Sequence, residues 1–488
     1  MGMFTHDARV IKFDILRYVS DLAYENQLSE EKLNTYYKSL IPGTKPTYRC
    51  CVYKEREILR QRGRLVRGLS ANDVEGKNPR QIVQVIEAAC DGCTINKIQV
   101  TDNCRKCLAK NCLAACNFGA ISMGANRATI DYQKCRECGA CARACSYNAI
   151  VVTERPCKKA CPVDAIKWNE DHIAVIDEEK CINCGRCLAA CPFGAIEDVS
   201  WVVPVIEDIR EGKKLIAMVA PAIQGQFDNV SLRQIKDGIL KLGFSDCVEV
   251  ALGADVVAKK EYEELKEHKE AGLKMTTSCC PGFVNMAKIH FPTVYEKNMS
   301  TMVSPMVARA KLIKEEHPDY KTVFIGPCIA KKQEALDLDC VDYVLTFEEI
   351  AAMLISRHIY LKEIADPVNP KWEASTYARN FAQGGGVSAA VVEACKEEGG
   401  EEITAYYADG ADECKKQLML MKVNRFKEDI LEGMCCEGGC INGPCSINDA
   451  VKVKRNMNKE NINHKITINE ILDGIEIDKS NCNFHYEK

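Results

Sequence analysis

The sequence has little that would mark a membrane, secreted or nucleic-acid-binding protein. No stretch in its 488 residues approaches the ~18 uncharged apolar residues needed to cross a bilayer. The opening residues, MGMFTHDARVIKFDIL, lack the basic stretch followed by an apolar one that a secretory leader requires. A cytoplasmic location with no membrane partner is therefore expected. The net charge is only −4, which argues against a general nucleic-acid binder. Aromatic residues are sparse at 7%, but apolar residues at 47% and charged residues at 27% are those of an ordinary globular protein, so disorder is excluded.

Cysteine is what the sequence has in abundance. There are 30, and sixteen of them lie between Cys90 and Cys191. A disulfide scaffold would be short and secreted; a long chain with this many thiols is expected to bind metal. A length of 488 residues suggests roughly three or four domains of ~100–200 residues each.

Residues 1–89 read as a helical N-terminal region, with apolar residues at helical spacing in Ile11–Tyr24 and near Leu33–Leu40. Within it, Lys54–Arg67 (KEREILRQRGRLVR) is rich in cations. That run suits a solvated helix face, or a docking patch for an acidic electron carrier. Residues 90–200 form the cysteine block, and 201–212 read as a connector. From Lys213 the pattern changes to apolar runs at 213–219, 247–252, 321–326, 341–347 and 403–408, alternating with helical segments. This alternation predicts an α/β unit with parallel sheets over 213–450. The polar stretch 451–488 reads as a peripheral helix and tail.

Soft thiolates suit iron–sulfur clusters or zinc, so spacing must decide. Cys135, Cys138, Cys141 and Cys145 follow C-x2-C-x2-C-x3-C, and so do Cys181, Cys184, Cys187 and Cys191. Cys104, Cys107, Cys112 and Cys116 give a stretched version, and Cys157 with Cys161 a fragment. All four units end in a similar Ala-Ile tag. In the bacterial ferredoxin pattern three cysteines wrap one cubane and the fourth ligates its neighbour. The spacing therefore groups Cys104, Cys107 and Cys112 with Cys145. Cys135, Cys138 and Cys141 are grouped with Cys116, and Cys181, Cys184 and Cys187 with Cys161. Cys90, Cys93, Cys157 and Cys191 remain for a further cluster. About four accessory 4Fe–4S clusters, in α+β ferredoxin-like domains, make an electron wire.

Past residue 213 the cysteines fall in three loops: Thr277-Ser278-Cys279-Cys280-Pro281-Gly282-Phe283, Gly326-Pro327-Cys328-Ile329-Ala330-Lys331-Lys332-Gln333-Glu334, and Glu432-Gly433-Met434-Cys435-Cys436 through Cys440. Parallel sheets place their ligands in such loops. These loops resemble the three signature motifs of the iron-only (FeFe) hydrogenases, TSCCP-x-W, MPC-x-x-K-x-x-E and E-x-M-x-C-x-x-x-C, in order and at fitting separations. With the cysteine block, the resemblance covers about residues 90–450.

The resemblance implies a two-lobed catalytic domain holding an H-cluster, which is a 4Fe–4S cubane joined to a diiron subcluster with CO, CN and a dithiolate. It implies Cys280, Cys328, Cys436 and Cys440 as cubane ligands, with Cys440 bridging to the diiron part. Lys331 matches the lysine that anchors a cyanide. Pro221, Ala222, Glu334 and Met434 match residues lining the cofactor. Cys279 matches the first proton-relay residue, Glu261 and Glu264 two relay glutamates, Ser300 a further relay position, and His268 the next one outward. Glu261 and Glu264 would share one helix face, although KKEYEELKEHKE also suits a plain solvated helix.

The implied activity is reversible interconversion of H2 with two protons and two electrons. The implied partners are a ferredoxin-type carrier and the maturation proteins that deliver the diiron cofactor. Gly326 stands where the family has Met, Phe283 replaces Trp, Gly443-Pro444-Cys445 replaces GGGQP, and Cys435 adds a thiol beside Cys436. These departures suggest a divergent, group B-like branch. A sensory H-cluster protein and a non-enzymatic iron–sulfur assembly or carrier protein are the alternative readings. Retention of Cys279, Lys331 and the glutamates favours turnover. Cys247, Cys340, Cys395, Cys414 and Cys482 have no ligand spacing and read as inert thiols.

Overall fold

A computed structural model of the chain describes residues 7–72, 81–366, 373–461, 466–475, 480 and 482–486. Past residue 213 the apolar runs are strands covered on both faces. Leu215–Val219 is buried at every position. It pairs in parallel with Asp246–Glu249 on one side and Lys321–Gly326 on the other, and Tyr343–Thr346 completes a four-stranded sheet. A second parallel sheet orders Met275–Thr276, Ile430–Met434 and Ala405–Asp409. The mixed α/β architecture is that expected from the alternation of runs. All five expected runs contain a strand, whereas 275–276 and 430–434 carried no strand expectation. Helix Ala251–Glu270 packs against helices Pro305–Glu316 and Gly386–Glu397.

The cysteine block is built from two-stranded antiparallel ribbons: Ile98–Val100 with Ile150–Val152, Ile121–Met123 with Ala128–Ile130, and Ile166–Trp168 with Ala174–Ile176. The repeated tag explains the repeated geometry. Gly119, Asn148, Asp164 and Gly194 each adopt a left-handed φ of 49–59°, a conformation that Gly, Asn and Asp tolerate best. That turn reverses the chain from a short helix into a strand whose first Ile is buried, as at Ile150 and Ile166.

Three expectations need correction. Residues 201–212 are not a plain connector but contain helix Val202–Arg210, with Val202, Val205 and Ile206 buried. The segment after 450 is not peripheral: Val453 and Met457 are fully buried. The N-terminal region has the expected helices, at Asp7–Tyr24, Glu30–Leu40 and Val52–Val66, but Val83–Val85 is a strand paired with Ile196–Asp198. Ile15 and Leu16 belong to the same apolar core as the four-stranded sheet. The cations of the basic run 54–67 are largely paired within the chain, although only Arg62 is buried. Buried Arg62 pairs with Glu197, Arg60 with Glu57, Lys54 with Asp91 and Arg67 with Glu30.

A buried ion network joins the three parts. Lys332, fully buried, donates to Asp198 at 2.7 Å, to the Val199 carbonyl at 2.7 Å and to Glu349 at 3.0 Å. Lys12 of the first helix reaches Asp198 at 2.9 Å and Glu348 at 3.1 Å. Burial opposes ionisation of Asp198, but the ammonium groups of Lys12 and Lys332 outweigh it and hold the carboxyl well below its usual range. A depressed carboxyl pKa contributes stability that is full above its unfolded value, about 4, and is lost as pH falls through the folded value. Lys332→Ala takes the cation from buried Glu349 and from one oxygen of Asp198, leaving Asp198 with Lys12 alone. It should cost about 3–5 kcal/mol in chemical denaturation and flatten the acid limb of the stability curve. A loss below about 1 kcal/mol, the size of a surface pair, would show that the network carries no such weight.

Candidate cluster sites and catalytic cavity

Most cysteines of the block have as neighbours the cysteines that spacing grouped with them. Cys112 is pushed up by burial and by its neighbours Cys145 and Cys104, and Cys107 is half-buried in the loop between. Cys141 is pushed up by burial and by Cys135 and Cys116, and these three line a small cavity with Cys138. Burial raises Cys187, next to Cys184, Cys181 and Cys161. Cys157 is pushed up to about 12 by burial and by Cys191, Cys90 and Cys93. A buried thiol resists ionisation in this way unless a cation compensates the thiolate. A cationic iron–sulfur core supplies that compensation, so the donor chemistry fits such clusters.

The tag has a second use. In each unit the Ala N–H reaches back to the last cysteine: Ala120 to Cys116 at 3.3 Å, Ala149 to Cys145 at 3.4 Å, Ala165 to Cys161 at 3.2 Å and Ala195 to Cys191 at 3.4 Å. Hydrogen bonds to ligand sulfur are one lever on cluster potential.

A larger cavity lies where the C-terminal ends of both parallel sheets meet. Cys280 follows Met275–Thr276, Cys328 follows Lys321–Gly326, and Cys436 and Cys440 follow Ile430–Met434. All four line this cavity together with Cys279, Lys331, Pro221, Ala222 and Met434. Cys280 is drawn down to about 6 by the Cys435 thiol, against the opposing effect of burial, with help from backbone N–H groups and Lys331. Burial pushes Cys328 up to about 11, and raises Cys436 and Cys440. The Lys331 ammonium binds Glu334 at 2.7 Å and the Cys279 carbonyl at 3.5 Å. Four convergent thiols and a buried cation fit a cubane with anionic ligands.

A buried polar path leads away from Cys279, which is raised by burial and by the charge of Glu261. Burial, then the charge of Glu264, pushes Glu261 up to about 8 against opposing hydrogen bonds from Ser278. Its Oε1 accepts from the Ser278 N–H at 3.0 Å and hydroxyl at 3.3 Å, and its buried Oε2 has no hydrogen-bond partner. Ser300 donates to Glu264 at 2.7 Å, and the Thr301 N–H donates to the same carboxylate at 2.9 Å. Both glutamates lie on the buried face of helix Ala251–Glu270. His268 differs from expectation: its ring nitrogen Nδ1 bonds the main-chain carbonyl of Glu264 at 3.1 Å, not the carboxylate. Ser278 was missed by sequence reasoning, although its place directly before Cys279 was a signal.

The cysteine block and the cavity share a wall. Gly185, with φ +74°, lies so close to the loops around the cavity that a Cβ there would come within 2.8 Å of Ile329 and Pro444. Gly282 similarly faces Cys435 and Cys184, and Cys436 feels the charge of Cys184.

Residues 213–444 match the family described as iron only hydrogenase large subunit, C-terminal domain. Residues 128–151 match the 4Fe-4S binding domain and 151–202 the LdpA Fe-S cluster-binding domain. The chain is 32% identical over 346 residues to the periplasmic Fe hydrogenase large subunit of Nitratidesulfovibrio vulgaris, a match covering 59% of this chain and 82% of that one. The chain belongs to the iron-only hydrogenase family. It is also 26% identical over 287 residues to iron hydrogenase 1 of Clostridium pasteurianum, covering 47% of this chain and 50% of that one. Among solved structures, a variant of the FeFe-hydrogenase HydA1 from Chlamydomonas reinhardtii is 19% identical with a TM-score of 0.44, covering 55% of this chain and 90% of that one.

At these identities it is a divergent iron-only hydrogenase family member, and the structure gives its departures a local cause. A Cβ on Gly326 would lie 2.5 Å from the ring of Phe324, which lines the cavity itself. The Phe324 ring thus occupies space beside position 326 that a longer side chain there would need. Cys435 touches Cys280 and Cys414, whereas Cys445 sits away from the cavity beside Asp198 and Lys12. Gly326→Met should cost about 1–3 kcal/mol by overpacking, and Phe324→Ala in the same chain should recover part of it. Thermal unfolding of the single and double variants checks this; additive losses would refute the exchange of space.

Proposed function

We propose that the chain is an FeFe hydrogenase that interconverts H2 with two protons and two electrons. The supporting observation is the meeting of Cys280, Cys328, Cys436, Cys440 and Lys331 in one cavity with Cys279 at the head of a buried acidic path. An H-cluster bound by the four cysteines supplies an open iron and a nearby base for heterolytic H2 chemistry. The protein's own residues do the rest. Lys331 holds anionic ligands, and the apolar wall that includes Phe324 and Met434 keeps water out. Cys279, Glu261, Ser300 and Glu264 carry the proton between cavity and surface. Glu261, with its pKa near 8, can both hold and release a proton at neutral pH, which suits a relay.

Four accessory cubanes, held by the four cysteine groups, lead electrons from the surface to the cavity. The group around Cys135, Cys138 and Cys141 forms the outer end. Across residues 104–147, which hold this group and the one around Cys104, Cys107 and Cys112, the apolar Leu108, Phe118 and Tyr147 are exposed, as are the cations Arg105, Lys110 and Arg136. This surface fits an acidic ferredoxin-type carrier. Among the described residues no helix is long and apolar enough to cross a membrane, and the proposed location is the cytoplasm. Maturation proteins would deliver the diiron part.

The test is hydrogen evolution from a reduced carrier after loading with the diiron cofactor. The loaded wild type should contain about 22 iron atoms per chain, four per cubane and six in the H-cluster. Cys279→Ala and Glu261→Gln should each lower turnover by about 10²–10⁴-fold while the infrared bands of bound CO and CN persist. No turnover in the loaded wild type would sink the proposal. Reversing Arg105, Lys110 and Arg136 to Glu should raise KM for the carrier and leave kcat nearly unchanged, with the difference shrinking at high salt. A KM insensitive to these changes would move the docking site elsewhere.

A further inference from the structure

Residues 482–486 lie beyond the stretch that matches the family, 213–444, yet they reach Glu334, the partner of the cavity's Lys331. This segment runs antiparallel beside residues 301–303: His485 bridges to Met302, the Val303 N–H donates to the Phe484 carbonyl at 2.8 Å, and the Tyr486 N–H to the Thr301 carbonyl at 2.7 Å. Phe484 is buried and anchors the strand.

The strand directs Tyr486 inward. Its hydroxyl donates to Glu334 Oε1 at 2.5 Å, while Glu334 Oε2 accepts from Lys331 at 2.7 Å. Each oxygen of one carboxylate therefore has one fixed partner, and both Lys331 and Glu334 are buried. Two consequences follow from this geometry. A carboxylate bonded at one oxygen only can turn about its stem and offer both oxygens to the lysine; the phenol prevents that turn. A hydrogen bond to a carboxylate also draws on its negative charge, which leaves more of the ammonium's field for an anion in the cavity. In a low-dielectric site such a redistribution counts for more than in water.

We propose that Tyr486 is a positioning residue for Lys331: acting through Glu334, it sets how firmly the lysine holds the anionic ligands of the catalytic cofactor. The strand 482–486 is thereby part of the active site. This rests on the reading that the cavity takes the H-cluster.

The experiment uses the full chain loaded with the diiron cofactor and compares wild type, Tyr486→Phe, Glu334→Gln, the double variant and His485→Ala. Tyr486→Phe should shift the infrared bands of bound cyanide and lower turnover about tenfold. On the Glu334→Gln background it should change neither further, because the path to Lys331 is already cut. His485→Ala, on the same strand but directed at the Thr301 hydroxyl at 2.7 Å, should leave the cyanide bands in place. Unmoved bands in Tyr486→Phe, additive effects with Glu334→Gln, or an equal shift in His485→Ala would each overturn the proposal. A wild type that shows no cyanide bands would instead overturn the reading of the cavity, and the proposal with it.

Discussion

The charge cluster around Asp198 is what the remaining architecture depends on. Asp198 ends a strand of the cysteine block, Lys12 comes from the first helix, and Lys332 stands one residue from the cavity's Lys331. Removing these charges from water is costly, and the cost is offset only when every partner is present. The network therefore forms only when N-terminal helices, cysteine block and cavity loops are docked in one arrangement. Lys331 and Lys332 divide the work of a single helical turn. One faces the cavity, and the other holds the helix against the cysteine block. A structural demand and a chemical one meet on adjacent residues, so Lys332 is as much a condition of the site as the groups that line it.

Much of this was readable in advance because iron–sulfur ligation imposes covalent spacing. Cysteines such as Cys181, Cys184 and Cys187 must recur at short fixed intervals to wrap one cubane, and that regularity survives divergence. The strands at 215–219 and 321–326 were equally legible, since continuous apolar runs are what a sheet covered on both faces requires. The two-residue strand at 275–276 was too short to carry a pattern. In 430–434, Glu432 interrupts the apolar run. It is buried there because Ser388 and the Gly385 N–H satisfy its carboxylate, a tertiary fact that no local window contains.

The acidic path shows the same boundary more sharply. KKEYEELKEHKE has the composition of a solvated helix, and Lys266 and Glu267 are indeed exposed. Glu261 and Glu264 are buried because their face, with Tyr262 and Leu265, packs against neighbouring helices. Helical period alone says which residues share a face but not which face is covered. Phe324 and Tyr486 were illegible for a related reason: the first matters because residue 326 has no side chain, and the second arrives from a strand some 150 residues away in sequence. Such long-range convergences leave no local signature.

The contact made possible by Gly185 and Gly282 has a consequence for how charge is stored. In the proposed arrangement the innermost accessory cubane and the catalytic cluster lie on either side of one thin, water-poor wall. Charges separated by so little low-dielectric material interact strongly. An electron parked on one centre therefore makes the next electron on the other harder to add, and the two centres cannot be assigned independent potentials. Together they would act as a two-site capacitor, filled in sequence, which suits the proposed reaction's need for electrons in pairs.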